Sequence, residues 1–423
     1  MRTSFFRRSV IVLSATVLVV TACGDNGGGG GGGDGEVVGE GDGVLQLGYV
    51  LPETGQLAFL GPPQIQSTKF AIKTINDAGG VLGEPIPEPA AGDEAGQEGV
   101  AVQSAGRVLA SGVDAIIGAA ASGMSLAFID RVTGAGVVQC SASNTAPTFT
   151  DYDDGGFYFR TAPSDSLQGP ILANVIREDG HDRVAIVARA DDYGRGLLES
   201  TRQALEEAGA TVDLAETYDP EATNLAQLAQ QVTGANPDAV VVIAFEEGTQ
   251  IMQRLIETGV GPQQVGVYGA DGLRSEELAS LVSPNNPGVI AGMKGTAPAS
   301  AENAEYVSQL KEFAPDLVEL QYAPQAYDCV TIIALAAEQA RSDDPAVFAP
   351  EIVGVTKDGE KCTSFEDCKR LLEDGADIDY DGVSGPLDFV DVGEPGRATI
   401  EVYAYNEQGK LETLRTEESV GEG

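Results

Sequence analysis

The chain has 423 residues, with 65 acidic and 25 basic side chains and a formal charge of −40. A field of that sign repels nucleic acid and anionic headgroups, so neither is expected as a partner. The length suggests two domains at roughly 100–200 residues each, and a single histidine with no tryptophan leaves little for imidazole chemistry.

Arg2, Arg7 and Arg8 form a basic start, followed by an apolar run from Val10 to Val20. That run is too short to span a bilayer, so residues 1–22 read as a cleaved signal peptide. Its removal takes away three arginines and moves the formal charge from −40 to −43. The stretch Val20-Thr-Ala-Cys23 resembles a lipobox, which makes Cys23 the expected acylated N-terminus of the mature protein. Gly27–Gly33 and the glycine- and acid-rich residues up to Gly43 cannot bury apolar surface. They read as a flexible tether over 23–43. The expected location is the cell envelope outside the cytoplasm, with the membrane reached by the lipid alone.

From Val44 onward, apolar strand runs alternate with helix-length segments. The strand runs are Val44–Leu51, Asp114–Gly118, Val137–Cys140, Arg183–Ala188, Asp238–Phe245 and Gln264–Tyr268. Helical patterns occupy 63–78, 99–110, 167–179, 194–208, 225–233 and 249–258. Strands that are continuously apolar, with helices between them, argue for parallel sheets covered on both faces. The expected fold is α/β, with doubly wound, Rossmann-like lobes. Asp114-Ala-Ile-Ile and Asp238-Ala-Val-Val open similar strands, a hint that the two lobes are related.

Four cysteines remain after Cys23. Cys362 and Cys368 close a short polar loop, where a disulfide would contribute about 2.4 kcal/mol. Two thiolates without a histidine make a poor zinc site, so the disulfide is preferred. Cys140 and Cys329 read either as buried thiols or as a second disulfide. Asp377, Asp379 and Asp381 with Gly382 and Asp388 match the spacing of a calcium loop. Pro386 and the alternating Leu387-Asp-Phe389 look instead like a starting strand, so no metal is assigned.

The sequence contains no Gly-x-Ser-x-Gly elbow, no phosphate loop and no His-Glu-x-x-His helix. The Ser308–Lys311 spacing lies mid-helix on a charged stretch, and His181 sits in a polar turn. An enzyme is not expected, nor is any cofactor.

Ligands of open α/β sheets bind beyond the carboxyl ends of the strands. There the chain places Glu53–Gln56, Ala119–Gly123, Ser141–Pro147, Asp191–Gly194, Phe245–Glu247 and Gly269–Gly272. Small hydroxyl residues at helix starts suit a carboxylate, and a lone acid facing them suits an ammonium. The bland alternatives are helix caps at Ser122 and Asp191 and a turn at Asp271-Gly272.

These residues, with Lys69–Gly80, Phe159–Asp165, Asp192-Tyr-Gly194, Ala326-Tyr-Asp328 and Asp379–Gly385, resemble the branched-chain amino-acid type of periplasmic binding proteins. These are the ligand-capturing subunits of ABC importers, and the resemblance covers about Leu47 to Glu407. It implies a type I architecture: two lobes joined by a three-strand hinge. The lobes would be 44–163 plus 299–384 and 164–298 plus 385–415, with 416–423 a tail. It implies ligand contacts from Ser122 and Thr145 to a carboxylate, from the Ser143 carbonyl and Asp271 to an ammonium, and from Tyr193 and Phe245 to the rest of the ligand. Relatives that bind leucine carry tyrosine at the positions of Leu60 and Phe245 and glutamate at that of Asp271. The implied partners are an amino acid or a similar small solute and the permease subunits, with the protein itself a monomer. A ligand sensor signalling through a separate receptor is the rival expectation.

Overall fold

A computed structural model describes residues 41–222, 224–299 and 303–420. The signal peptide, Cys23 and all but the last residues of the tether lie outside the described residues, as do residues 421–423.

The first sheet is built from β1 (Leu47–Leu51), β2 (Ala90–Asp93), β3 (Ala115–Gly118), β4 (Val138–Ser141) and β5 (Tyr158–Arg160). Its order is β2-β1-β3-β4-β5, and every pairing is parallel. Helices α1 (Gly61–Asp77), α2 (Glu98–Leu109) and α3 (Ser122–Thr133) connect its strands. β1, β3 and β4 are buried along their whole length, which is why they read as unbroken apolar runs. Prolines in the first turn start α1 where no N–H partner is needed.

The second lobe alternates α4 (Asp165–Glu178), β6 (Arg183–Arg189), α5 (Asp192–Glu207), β7 (Thr211–Tyr218), α6 (Ala226–Ala235), β8 (Ala239–Ile243), α7 (Gly248–Glu257) and β9 (Gly266–Gly269). A short α8 (Leu278–Val282) and β10 (Lys294–Pro298) follow. The chain then returns to the first lobe for α9 (Ala304–Phe313), α10 (Ala323–Ala340), α11 (Pro345–Phe348), β11 (Glu360–Cys362), α12 (Phe365–Glu373) and β12 (Ile378–Gly382). Three two-residue strands, β13 (Gly385–Pro386), β14 (Phe389–Val390) and β15 (Glu394–Pro395), lead to β16 (Arg397–Tyr405) and β17 (Leu411–Val420).

The order of the second sheet is β17-β16-β10-β9-β8-β6-β7. β6 to β10 are parallel, whereas β16 runs antiparallel to β10 and to β17. This antiparallel hairpin departs from the all-parallel expectation. β16 enters from the other lobe rather than through a crossover helix, so it is free to run either way. β17 extends to Val420, beyond the boundary expected at 415. β7 and β17 are edge strands with mostly exposed residues, and neither carries the apolar run that marks an interior strand.

Three passages link the lobes: 161–164, the segment after Pro298, and 383–396. Buried Arg160 holds the third passage to the first sheet, its Nε donating to Glu394 Oε2 at 2.8 Å. Asp328 on α10 accepts from Tyr380 Oη (2.8 Å) and from the backbone N–H groups of Val383 (2.9 Å) and Ser384 (2.8 Å), fixing the turn at its start. Helix α10 is buried on nearly every face and packs against α1. Among the described residues no helix is long and apolar enough to cross a membrane.

Both cysteine pairs are bridged: Cys140–Cys329, with Cα atoms 5.9 Å apart, and Cys362–Cys368, at 5.3 Å. The acids with calcium-loop spacing do not form a loop. Asp379 and Asp381 lie on β12, and the Lys361 ammonium sits 2.8 Å from a carboxylate oxygen of each. A cation of the chain's own therefore stands between them. An excess of EDTA is expected to leave the melting temperature unchanged; a fall of several degrees would restore the calcium reading.

Candidate functional site

Loops beyond the strand ends of the two lobes touch: Thr145 Oγ1 donates to Asp165 Oδ2 at 2.9 Å and Arg189 Nη1 to Gln56 Oε1 at 3.3 Å. Leu57, Leu60 and Ala121 of the first lobe share one apolar cluster with Tyr193 and Phe245 of the second and with Tyr322. Of the six residues proposed from sequence, Tyr193 and Phe245 belong to this cluster, and Ser122 directly follows its Ala121.

On the first lobe, β3 ends at Gly118 with φ +115°, and a Cβ there would meet the Val50 carbonyl oxygen at 2.1 Å. Glycine is therefore required for the chain to turn into the Ala119–Ala121 loop. Asn144 Nδ2 donates to the carbonyls of Ala119 (3.1 Å) and Ala120 (2.9 Å), locking that loop to the one after β4. Ser122 is the first residue of α3 rather than its cap, and its Oγ accepts from Ala146 N at 3.4 Å. The Ser143 hydroxyl donates to the Ala120 carbonyl and to Gln64 Oε1, both at 3.2 Å. The Thr145 hydroxyl donates to Asp165 Oδ2 at 2.9 Å, so its first partner is an acid from α4. Asp191 does cap α5, accepting from Gly194 N at 2.9 Å.

On the second lobe, Asp271 opens a 3₁₀ turn and is fully enclosed. Its Oδ1 accepts from Tyr193 Oη (2.8 Å) and Gln168 Nε2 (2.9 Å), and its Oδ2 from Tyr322 Oη (2.7 Å). Tyr193 stacks on Phe245 with centroids 5.3 Å apart, and the Arg189 guanidinium lies 3.4 Å from the Phe245 centroid.

Asp165 is the second acid of the site. It is enclosed, and its Oδ1 has no hydrogen-bond partner among the described residues. Burial, and then the nearby Asp271 charge, drive its carboxyl well above the usual range; Thr145 pulls the other way. Burial also raises Asp271, but three donors oppose the rise. The two acids together therefore hold a proton more tightly than either would alone. Two buried carboxylates that repel one another make a place where a cationic group is stabilised. Of the opposing hydroxyls, those of Ser143 and Thr145 already donate within the protein, whereas that of Ser122 has no acceptor among the described residues and suits an anionic one.

Asp165, Gln168, Arg189 and Tyr322 were missed as site residues. Asp165 sits just after the Ser164 cap and looks like an ordinary first-turn acid. Tyr322 carries no sequence signal at all: a left-handed backbone (φ +63°) at the start of α10 aims its hydroxyl at Asp271.

Glu94 supports the site from behind. It is fully buried and accepts from Ala120 N (2.6 Å) and Ala121 N (3.2 Å). Burial pushes its carboxyl up to about 8, against those two N–H groups and with a small push from Asp93. The folded state thus holds a proton that the unfolded chain releases at the ordinary value near 4.5. The resulting stability is complete below that value and is drawn down as pH rises to about 8. The stability difference between Glu94→Gln and wild type should shift in favour of the variant by about 1.4 kcal/mol per pH unit across that window. Calorimetric melts at pH 5 to 8 measure it, and a difference constant with pH would refute it.

Comparison with known proteins bears on the whole chain. The family model described as periplasmic binding protein matches residues 44–406. A Leu/Ile/Val-binding protein homolog of Brucella melitensis is 28% identical over 309 residues, 72% of this chain and 80% of that one. The leucine-binding protein of Thermotoga maritima superposes with a TM-score of 0.74 at 21% identity, covering 88% of this chain and 98% of that one. A solute-binding protein of an R. palustris ABC transporter, solved with 4-hydroxybenzoate, gives 0.72 at 16% identity, over 89% and 98%. At these identities the structural likenesses speak to fold.

Proposed function

Since the chain belongs to the periplasmic binding protein family, and within it to the branched-chain amino-acid type, we propose that it is the substrate-binding subunit of an ABC importer. It captures an amino acid or a related small amine between its lobes and delivers it to the permease. The lobes of this reading are 44–163 with 299–384 and 164–298 with 385–415. The lipid on Cys23 holds the monomer outside the cytoplasm at the membrane.

One observation carries the choice of ligand: the enclosed pair Asp165 and Asp271, faced by the Ser122, Ser143 and Thr145 loops. An ammonium entering beside the two acids removes their mutual repulsion, and a carboxylate accepts from the Ser122 hydroxyl, whose Oγ otherwise only accepts from Ala146 N. Closure of the lobes then follows from contacts made to both at once. Leu60 and Phe245 leave the side-chain end of the site apolar and without the tyrosine hydroxyls of leucine-binding relatives.

The ammonium displaces the proton held by the pair, so affinity rises with pH through that titration, and binding releases protons. A thermal-shift screen of amino acids, amides and aromatic acids identifies the ligand. A ligand at 100 times its dissociation constant should stabilise the fold by about 2.7 kcal/mol. Calorimetry in buffers of different ionisation enthalpy then counts the protons. Stabilisation by 4-hydroxybenzoate and by no amine would overturn the ammonium reading.

A further inference from the structure

A cavity lies where residues of the two lobes meet. It holds about 480 Å³ and is walled by Gln56 and Gln97 of the first lobe and by Glu221, Glu246, Glu247 and Thr249 of the second. A smaller hollow of about 130 Å³ shares Glu246 and Thr249 with it and is backed by Phe245 and Gly272. The two hollows therefore adjoin, and the smaller one reaches Phe245 and Gly272, the residue after Asp271.

The chemistry of this cavity is one-sided. Glu247 is over nine-tenths buried, its side chain 7% exposed. Its Oε1 accepts from Arg189 Nη1 (2.9 Å), Tyr218 Oη (2.9 Å) and Phe245 N (3.2 Å). Its Oε2 is buried with no partner among the described residues, and Thr249 Oγ1 is in the same position. A carboxylate oxygen enclosed in this way is costly unless a donor reaches it. Arg189 is already committed: it lies on Phe245 and donates to Asp191, Glu247 Oε1 and, at 3.3 Å, Gln56 Oε1. Glu221 and Glu246 add two exposed carboxylates at the rim. Three acids thus border the cavity, and the one arginine beside it is spent.

We infer that this cavity is an outer subsite for an ammonium or guanidinium group at the far end of an extended amino ligand. The inference rests on the proposed capture of an amine between the lobes and narrows its substrate class to compounds with a second cationic end. Glu247 Oε2 and Thr249 Oγ1 accept from that group, and Glu221 and Glu246 compensate its charge.

The test is titration calorimetry on the full chain with L-lysine, with L-norleucine, which lacks only the terminal ammonium, and with 1,5-diaminopentane. Lysine should bind at least tenfold tighter than norleucine. In the double variant Glu221→Gln/Glu246→Gln, whose changes are exposed and leave the fold intact, lysine should weaken severalfold while norleucine is unaffected. Thr249→Val should weaken lysine in the same selective way. Norleucine binding as well as lysine overturns the outer subsite and leaves the inner one standing. If neither amino acid binds but 1,5-diaminopentane does, and the double variant weakens it, the subsite stands and the amino-acid reading falls. No binding of any of the three overturns the subsite.

Discussion

Asp271→Asn is expected to cost at least about 100-fold in affinity for the best ligand, or about 2.7 kcal/mol, with the fold intact. The argument turns on what the substitution keeps. Asparagine has the size of aspartate, and its carbonyl still accepts from Tyr193 and Gln168, which both point at Oδ1. Only the charge and the Tyr322 contact at Oδ2 change. Because burial raises the Asp271 carboxyl above its usual range, its charge is a liability to the fold and an asset only to a cationic ligand. The melting temperature without ligand should hold or rise while affinity collapses. Alanine would be the wrong variant, since it leaves three buried donors unpaired and confuses stability with binding. Calorimetric titration with a parallel thermal melt separates the two, and unchanged affinity removes Asp271 from the site.

Removing the Cys140–Cys329 bridge is expected to have the largest effect on stability. The bond joins the interior strand β4 to the buried helix α10 across a separation of 189 residues. In the chain-entropy model a loop of that size contributes about 5 kcal/mol, against about 2.4 kcal/mol for the Cys362–Cys368 loop. The double variant Cys140→Ala/Cys329→Ala should therefore melt roughly 10 °C or more below wild type, and Cys362→Ala/Cys368→Ala by about half as much. Both cysteines of the long bridge are fully buried, so alanine also leaves small cavities that add to the loss. Equal shifts for the two pairs would mean that the unfolded chain is already compact enough to make loop length irrelevant.

Particular elements show what could be read in advance. β1, β3, β6 and β8 are buried on both faces, so their apolar runs mark them without reference to any neighbour. β2, β7 and β17 lack such runs because they lie at sheet edges, where solvent takes one side. The site divides in the same way. Tyr193 and Asp271 follow strand ends, so local sequence order was enough to propose them. Tyr322 comes from a segment 51 residues beyond Asp271 that reaches it only when the chain has crossed back between the lobes.

The sequence by itself determined the class of the chain. Periodicity and strand order depend on near neighbours, and they already require a doubly wound α/β protein with polar loops at one end of its sheets. Only the tertiary structure decided the chemistry within that rim. Whether Asp165 and Asp271 are two solvated acids or one enclosed, mutually repelling pair depends on burial and distance. Both are set by segments far apart in sequence. Electrostatic energy varies steeply with those two quantities, and no local pattern encodes them.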